Sequence, residues 1–145
     1  MPTNNNIFRI SLPEGWRETT VYPFEGPHDS GVQHNLLLVV NPEIEKEMTL
    51  SRYAKLQVED LARTLPAFEL ISEKQGILPS GVPVAMVVYR YSPSDDLTLF
   101  QKQYHIIAGG KGYSFTSTFS KKTLKTIAND VDQIVASLKF ISQQA

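Results

Sequence analysis

The stretch from Val82 to Ser120 constrains the fold more than any other part of the chain. It contains three extended runs joined by two short turn segments, SPSDDL and GGKG. Extended runs joined by such turns are typical of an antiparallel meander. Because side chains alternate across a strand, one face of this sheet should be apolar and the other semi-polar. The apolar face, which we expect to meet the helices, comprises Phe100, Tyr104, Ile106, Tyr113, Phe115 and Phe119.

The rest of the chain supplies more strands and two amphipathic helices. Alternating or β-rich runs before the meander predict strands at Ile7–Leu12, Thr19–Phe24, His34–Val40 and Phe68–Leu78. The segment from Glu25 to Gly31 is interpreted as an exposed loop. Apolar residues spaced three and four apart predict helices from Leu50 to Leu65, with Thr49 as N-cap, and from Thr123 to Leu138.

This element order predicts an α+β fold in a single domain that spans residues 1–145. We expect a mainly antiparallel twisted sheet of about six to seven strands, with the two amphipathic helices mostly on one face. Pro23 favours an edge position for the second strand, because proline cannot donate a ladder hydrogen bond.

Composition excludes several classes of function. The net charge of -1 gives no general attraction to nucleic acid or to an anionic membrane. The chain contains no cysteine, so disulfides and thiolate chemistry are excluded. The first residues lack the features of a secretory signal. No apolar run approaches the roughly 18 residues of a membrane span. We therefore expect a cytoplasmic protein that does not insert into membranes.

No motif for catalysis, metal binding or a cofactor stands out. The three histidines, at positions 28, 34 and 105, lack the spacing of a zinc site. The Asp95-Asp96 pair is typical of a hairpin tip. The GGKG segment joins two strands rather than opening a helix, which favours a glycine turn over a phosphate-binding loop. We expect no catalytic residue, no metal and no cofactor.

An apolar surplus is the remaining signal. Strands 36–40 and 82–91 are apolar on both faces, so a sheet covered by helices on one side would leave apolar side chains on the other. Contiguous exposed apolar patches usually mark a binding surface. The predicted partner-binding residues, including two amides interpreted as unpaired, are Tyr22, Phe24, Leu36, Leu38, Val40, Val87, Tyr89, Gln101 and Gln103.

Several segments together resemble the DcrB-like family, which has the PsbP-like α/β sandwich fold. The resemblance covers nearly the whole chain and includes IFRISLPEGW, MTLSRYAKLQVEDLARTLPAFELI, GVPVAMVVYRY and LFQKQYHIIAGGKGYSFTSTFS. The absence of a signal peptide and a lipobox cysteine departs from the family's lipoprotein branch. Short members of this kind look like the effector-associated chaperones of the bacterial type VI secretion system.

The resemblance implies a non-catalytic homodimer. Such a chaperone holds the N-terminal transmembrane helices of a secreted effector until they are loaded onto the secretion spike. Two alternatives stay open: a small-ligand or lipid-binding module of the same fold, and a hydrolytic enzyme built around His28 or His105. On the chaperone hypothesis, Leu38→Asp should abolish partner binding and leave a folded dimer.

Overall fold

The protein forms one antiparallel sheet with two helices in a computed structural model that describes residues 9–17 and 19–141. Six strands lie in the order β1-β2-β6-β5-β4-β3 within these residues. The helices are α1 (Leu50–Thr64) and α2 (Ile127–Ala136). The strands are β1 (Thr20–Asp29), β2 (Val32–Asn41), β3 (Glu69–Ile77), β4 (Pro83–Ser94), β5 (Leu97–Ala108) and β6 (Lys111–Phe119).

The meander from β4 to β6 is confirmed. Tyr104 pairs with Phe115, and Phe100 pairs with Phe119, so their aromatic rings share one face. Gly109 and Gly110 connect β5 to β6 with φ values of 58° and 75°. This left-handed conformation is accessible to glycine at little cost, which confirms the GGKG segment as a hairpin turn.

The two helices lie on opposite faces of the sheet, so the prediction that both lie mostly on one face is wrong. On one side α2 buries Ile127, Val131 and Val135 against Phe115 and Phe119. We call this side the α2 face. On the other side, which we call the α1 face, α1 packs chiefly against β4 and β5. Strand β4 is apolar on both faces, and this pattern alone cannot assign a helix to either side. The predicted α+β class is confirmed.

The element bounds depart from the prediction in three places. Strand β1 continues to Asp29, so most of the predicted loop is strand, and Ser30 and Gly31 form the turn with φ values of 52° and 79°. A 3₁₀ turn at Thr123–Lys125 precedes α2. Of the predicted first strand, residues 7 and 8 lie outside the described residues, and the remainder contains an isolated bridge at Ser11.

Helix α1 begins where the sequence predicts. The Thr49 side chain accepts a hydrogen bond from the Arg52 backbone N–H at 3.1 Å, as an N-cap should. Its Tyr53 side chain crosses Gly112 of β6, and its ring meets the His105 ring edge-on at a centroid distance of 5.8 Å. Tyr53 is therefore the main contact between α1 and the centre of the sheet.

A chain of hydrogen bonds lies beneath α1. The Tyr53 hydroxyl is 3.4 Å from the Ser114 hydroxyl, which is 2.8 Å from Nδ1 of His105. Nε2 of His105 is 3.0 Å from Oε1 of Gln103, whose amide nitrogen donates to Thr116. Because Gln103 presents its carbonyl oxygen, Nε2 of His105 is the donor, and Nδ1 of the neutral ring accepts from Ser114. Both ring nitrogens of this buried imidazole are therefore hydrogen-bonded.

Gly112→Ala should loosen the contact between α1 and the sheet. A Cβ at this position would lie 2.5 Å from the Tyr53 hydroxyl oxygen and 2.7 Å from its Cζ, so the ring must move. Overpacking of this kind costs about 1–3 kcal/mol, to be measured by urea unfolding. Gly76→Ala is the matched control, because its Cβ would meet only Met86 Cε at an ordinary 3.5 Å. Equal stability of the two variants would contradict the packing described.

Stability should fall as the pH falls from about 6.5 towards 4. Burial lowers the pKa of His105 from 6.5 to about 4. The unfolded chain therefore binds a proton in this interval while the folded chain does not, and protonation favours unfolding. At pH 5 the expected loss from this group is about 2 kcal/mol relative to pH 7.

Urea unfolding of His105→Gln at pH 7 and pH 5 tests this assignment. The variant should lose less stability between the two pH values than the wild type does. His28→Gln, at an exposed position on β1, should retain the wild-type pH dependence. A wild-type pH dependence in His105→Gln would exclude His105 as its source.

Candidate functional site

The α1 face is only partly covered by α1. The helix packs chiefly against β4 and β5, and its Tyr53 ring reaches Gly112 and Ser114 of β6. The side chains of β1 and β2 on this side, and those of β5 and β6 farther along the strands, lie beyond these main contacts. We call this surface the open α1 face. Strand alternation and register assign to it Val21, Pro23, Leu37, Val39, Gln101, Gln103, Thr116 and Thr118.

The half of the open α1 face formed by β1 and β2 is apolar. Val21 pairs with Val39 across the two strands, and their side chains are 49% and 40% exposed. Pro23 pairs with Leu37 next to them. Because β1 is an edge strand, as Pro23 predicts, this apolar surface continues to the margin of the sheet.

The half formed by β5 and β6 is a strip of amides and hydroxyls. Gln101 donates to the Thr118 hydroxyl at 2.9 Å, and its carbonyl oxygen accepts from the Tyr89 hydroxyl. Gln103 is bonded to Thr116 and His105 as described. The prediction that these two amides are unpaired is wrong. Cross-strand bonds hold them in an ordered polar strip, in which Gln103 is buried and Gln101, Thr116 and Thr118 are partly exposed.

An open cleft of about 350 Å³ lies at one end of this face. Gln57 of α1 forms part of its wall, and its side-chain amide makes no hydrogen bond within residues 9–17 and 19–141. Gln57 is not among the predicted site residues, all of which lie on strands, because helical spacing does not indicate which polar residue of α1 borders the sheet. The remaining lining is Arg17, Thr19, Val39, Val40, Asn41, Tyr53, Gln103, Ser114 and Thr116.

The nine predicted site residues do not form one surface. The register places five on the α2 face, namely Tyr22, Phe24, Leu36, Leu38 and Val40. It places the other four on the α1 face, namely Val87, Tyr89, Gln101 and Gln103. The expectation of a single shared face is wrong because the face of β2 relative to the meander depends on pairing register. A shift of one residue exchanges the two faces.

Burial further separates the predicted residues. Four of them are buried, namely Leu36, Val87, Tyr89 and Gln103, whereas Tyr22 and Phe24 are about half exposed at the edge of the sheet. Leu38 packs against the core under α2. Leu38→Asp is therefore expected to destabilise the fold, which replaces the expectation of a folded, binding-deficient dimer. The apolar side chains of β1 and β2 that lie on the open α1 face instead include Val21, Leu37 and Val39.

The Ser114, His105 and Gln103 side chains have the connectivity of a nucleophile, a base and an orienting group. However, the His105 ring is fully buried, and its pKa of about 4 makes it a weak base near neutral pH. Burial also raises the pKa of Tyr89. These features favour a structural role for the network. In the described part of the chain, no three metal-binding side chains cluster together.

A second polar cluster joins α2 to the sheet on the α2 face. Asp132 of α2 accepts hydrogen bonds from the Tyr104 hydroxyl and, at 2.6 Å, from the Lys102 ammonium group. Burial, followed by the bond to Asp132, raises the pKa of Tyr104. On the same face, Nε2 of His34 is 2.8 Å from the Thr123 hydroxyl. Both clusters fasten α2 and its preceding turn to the sheet, and they lie on the side opposite the open α1 face.

Solved structures with the same fold include proteins from three different bacteria. A Pseudomonas aeruginosa protein of unknown function, PA94, described as a candidate regulator, has a TM-score of 0.74 at 14% identity, covering 99% of this chain and 98% of its own. The PsbP protein CyanoP of Synechocystis sp. PCC 6803 has a TM-score of 0.57 at 15% identity, with 88% and 96% covered. LpqN of Mycobacterium tuberculosis, involved in cell envelope biogenesis, has a TM-score of 0.52 at 12% identity, with 82% of each chain covered.

These likenesses confirm the PsbP-like fold. No curated protein matches the chain. Neither helix in the described residues has the length and hydropathy that a bilayer span requires. The DcrB family profile matches residues 9–137, which is most of the sequence. The chain therefore belongs to the DcrB family.

Proposed function

We propose that this protein is a non-catalytic cytoplasmic chaperone for the N-terminal transmembrane helices of a type VI secretion effector. The open α1 face binds these helices and keeps the effector soluble until it is loaded onto the secretion spike. The observation that carries the proposal is an apolar sheet surface beside an ordered polar strip, with α1 as a wall on one side.

The chemistry of this face suits a transmembrane helix outside the membrane. Such a helix satisfies its own backbone hydrogen bonds but exposes apolar side chains on all sides. Val21, Leu37 and Val39 can replace lipid against these side chains. The Gln57 amide and the polar strip can bond to the small or polar residues that membrane helices use for packing. No catalytic step is needed for this role.

A second copy of the chain is part of the proposal. One open face covers a single side of a helix, and the opposite side would stay in water. Two faces brought together can enclose more of the apolar surface, and the effector-associated chaperones that the sequence resembles are homodimers. We therefore expect a homodimer to be the form that binds the effector.

A small-ligand or lipid-binding module is the second candidate function. The 350 Å³ cleft is within the range of ligand pockets, about 300–1,000 Å³. Ligand pockets are usually mostly apolar and largely enclosed. This cleft is open, and hydroxyl, amide and guanidinium groups form much of its lining, which favours an extended partner over a small molecule.

Co-expression with the N-terminal segment of a neighbouring effector tests the chaperone proposal. The segment should become soluble and should co-purify with this protein. A segment that stays insoluble, or that separates during purification, would overturn the proposal. Retention of a lipid by the purified protein, detected by mass spectrometry, together with failure to hold the segment would support the second candidate.

Val21→Asp should reduce effector binding by more than tenfold, measured by co-purification and titration. The substitution places a charge against an apolar helix, and burying an unpaired charge costs well over the 1.4 kcal/mol that corresponds to a factor of ten. The fold should persist because Val21 is 49% exposed on an edge strand.

Tyr22→Asp is the matched control for this experiment. Tyr22 is the next residue, is 50% exposed, and lies on the α2 face. It should bind the effector segment as the wild type does. Loss of binding in Tyr22→Asp with normal binding in Val21→Asp would move the site to the α2 face and contradict the proposal.

A further inference from the structure

The two ends of the open α1 face carry opposite charges. Arg17 lines the cleft at the end where β1 begins and β2 finishes. At the other end, alternation along β1 places Glu25 on the same face, opposite Asn35 of β2. The part of β1 between the two ends, from its first residue Thr20 to Glu25, is roughly 17 Å long at about 3.4 Å per strand residue. The apolar floor therefore lies between a positive end and a negative end.

The charge of Arg17 is not neutralised by a described neighbour. Its Nη1 donates to Oδ1 of Asn41 at 3.3 Å, which leaves the other guanidinium donors available. The ion pairs of the described residues involve Arg63, Arg90 and Lys102. None includes Arg17 or Glu25. Arg17 is also the charged residue among those that line the cleft.

An α-helix is itself polar along its axis. Its macrodipole places partial positive charge at the amino end and partial negative charge at the carboxyl end. Apolar side chains such as Val21 and Val39 make the same contacts with a helix in either direction. The charged ends are therefore what distinguishes the two directions.

We propose that the open α1 face fixes the direction of the bound helix, with its carboxyl end at Arg17 and its amino end towards Glu25. This inference rests on the proposed function and adds a preference for partner chemistry. The preferred partner is an apolar helix whose last turn carries an acidic side chain. Arg17 is the residue that sets this preference, because a guanidinium group can bond both to a carboxylate and to free helix carbonyls.

Two model helices test the proposal. Each is a stapled Leu/Ala peptide of about 16 residues with blocked ends, and a single glutamate is placed either in the last turn or in the first turn. The staple keeps the two peptides equally helical. The peptide with the glutamate in its last turn should bind the wild-type protein about fivefold more tightly. Only in this peptide does a single binding direction bring both the negative end of the helix dipole and the glutamate carboxylate to Arg17.

Arg17→Gln should remove the difference between the two peptides. Arg63→Gln is the control, because Arg63 is paired with Asp60 on the exposed surface of α1, and it should keep the wild-type difference. Equal binding of both peptides by the wild type, or an unchanged difference in Arg17→Gln, would overturn the directional proposal and leave the chaperone proposal standing. Binding of neither peptide would overturn the chaperone proposal itself.

Discussion

The Tyr53 ring determines where α1 lies on the sheet. It packs over Gly112, where a side chain would collide with it, and it meets the edge of the buried His105 ring. Held at this position, α1 packs chiefly against β4 and β5, and most of β1 and β2 lies beyond these main contacts. With α1 anchored by this contact and packed chiefly on β4 and β5, the apolar residues of β1 and β2 remain part of the open α1 face.

The two faces of the sheet are stabilised by different chemistry. The α2 face is a conventional apolar core in which Phe115, Phe119 and Val135 are buried together. The α1 face contains a hydrogen-bonded network in which Gln103 and His105 satisfy each other. Removal of one partner from such a network leaves a buried polar group unpaired, which is costly. The polar strip is therefore ordered before any partner binds, and ordered groups lose less entropy on binding.

Much of the fold could be predicted from local pattern. The helix cap at Thr49, the glycine turn before β6 and the alternation in the meander are local signals, and the structure confirms each of them. The site could be predicted only in part. Whether Leu38 or Val39 faces α2 depends on the pairing of β2 with β6, a contact between segments distant in sequence. The hydrogen bonds of Gln101 and Gln103 also depend on strand pairing, in their case on the register of β5 with β6. The sequence therefore could not indicate that both side-chain amides are hydrogen-bonded.

We propose that the open α1 face, rather than the α2 face, holds the partner helix. Because the chain has no natural cysteine, single cysteines carrying a photo-crosslinker can be placed at Val39, at Gln57 and at Phe24. With an effector N-terminal segment bound, crosslinks should form from Val39 and Gln57 and be absent from Phe24. Crosslinks from Phe24 alone would place the partner helix on the α2 face and overturn this proposal.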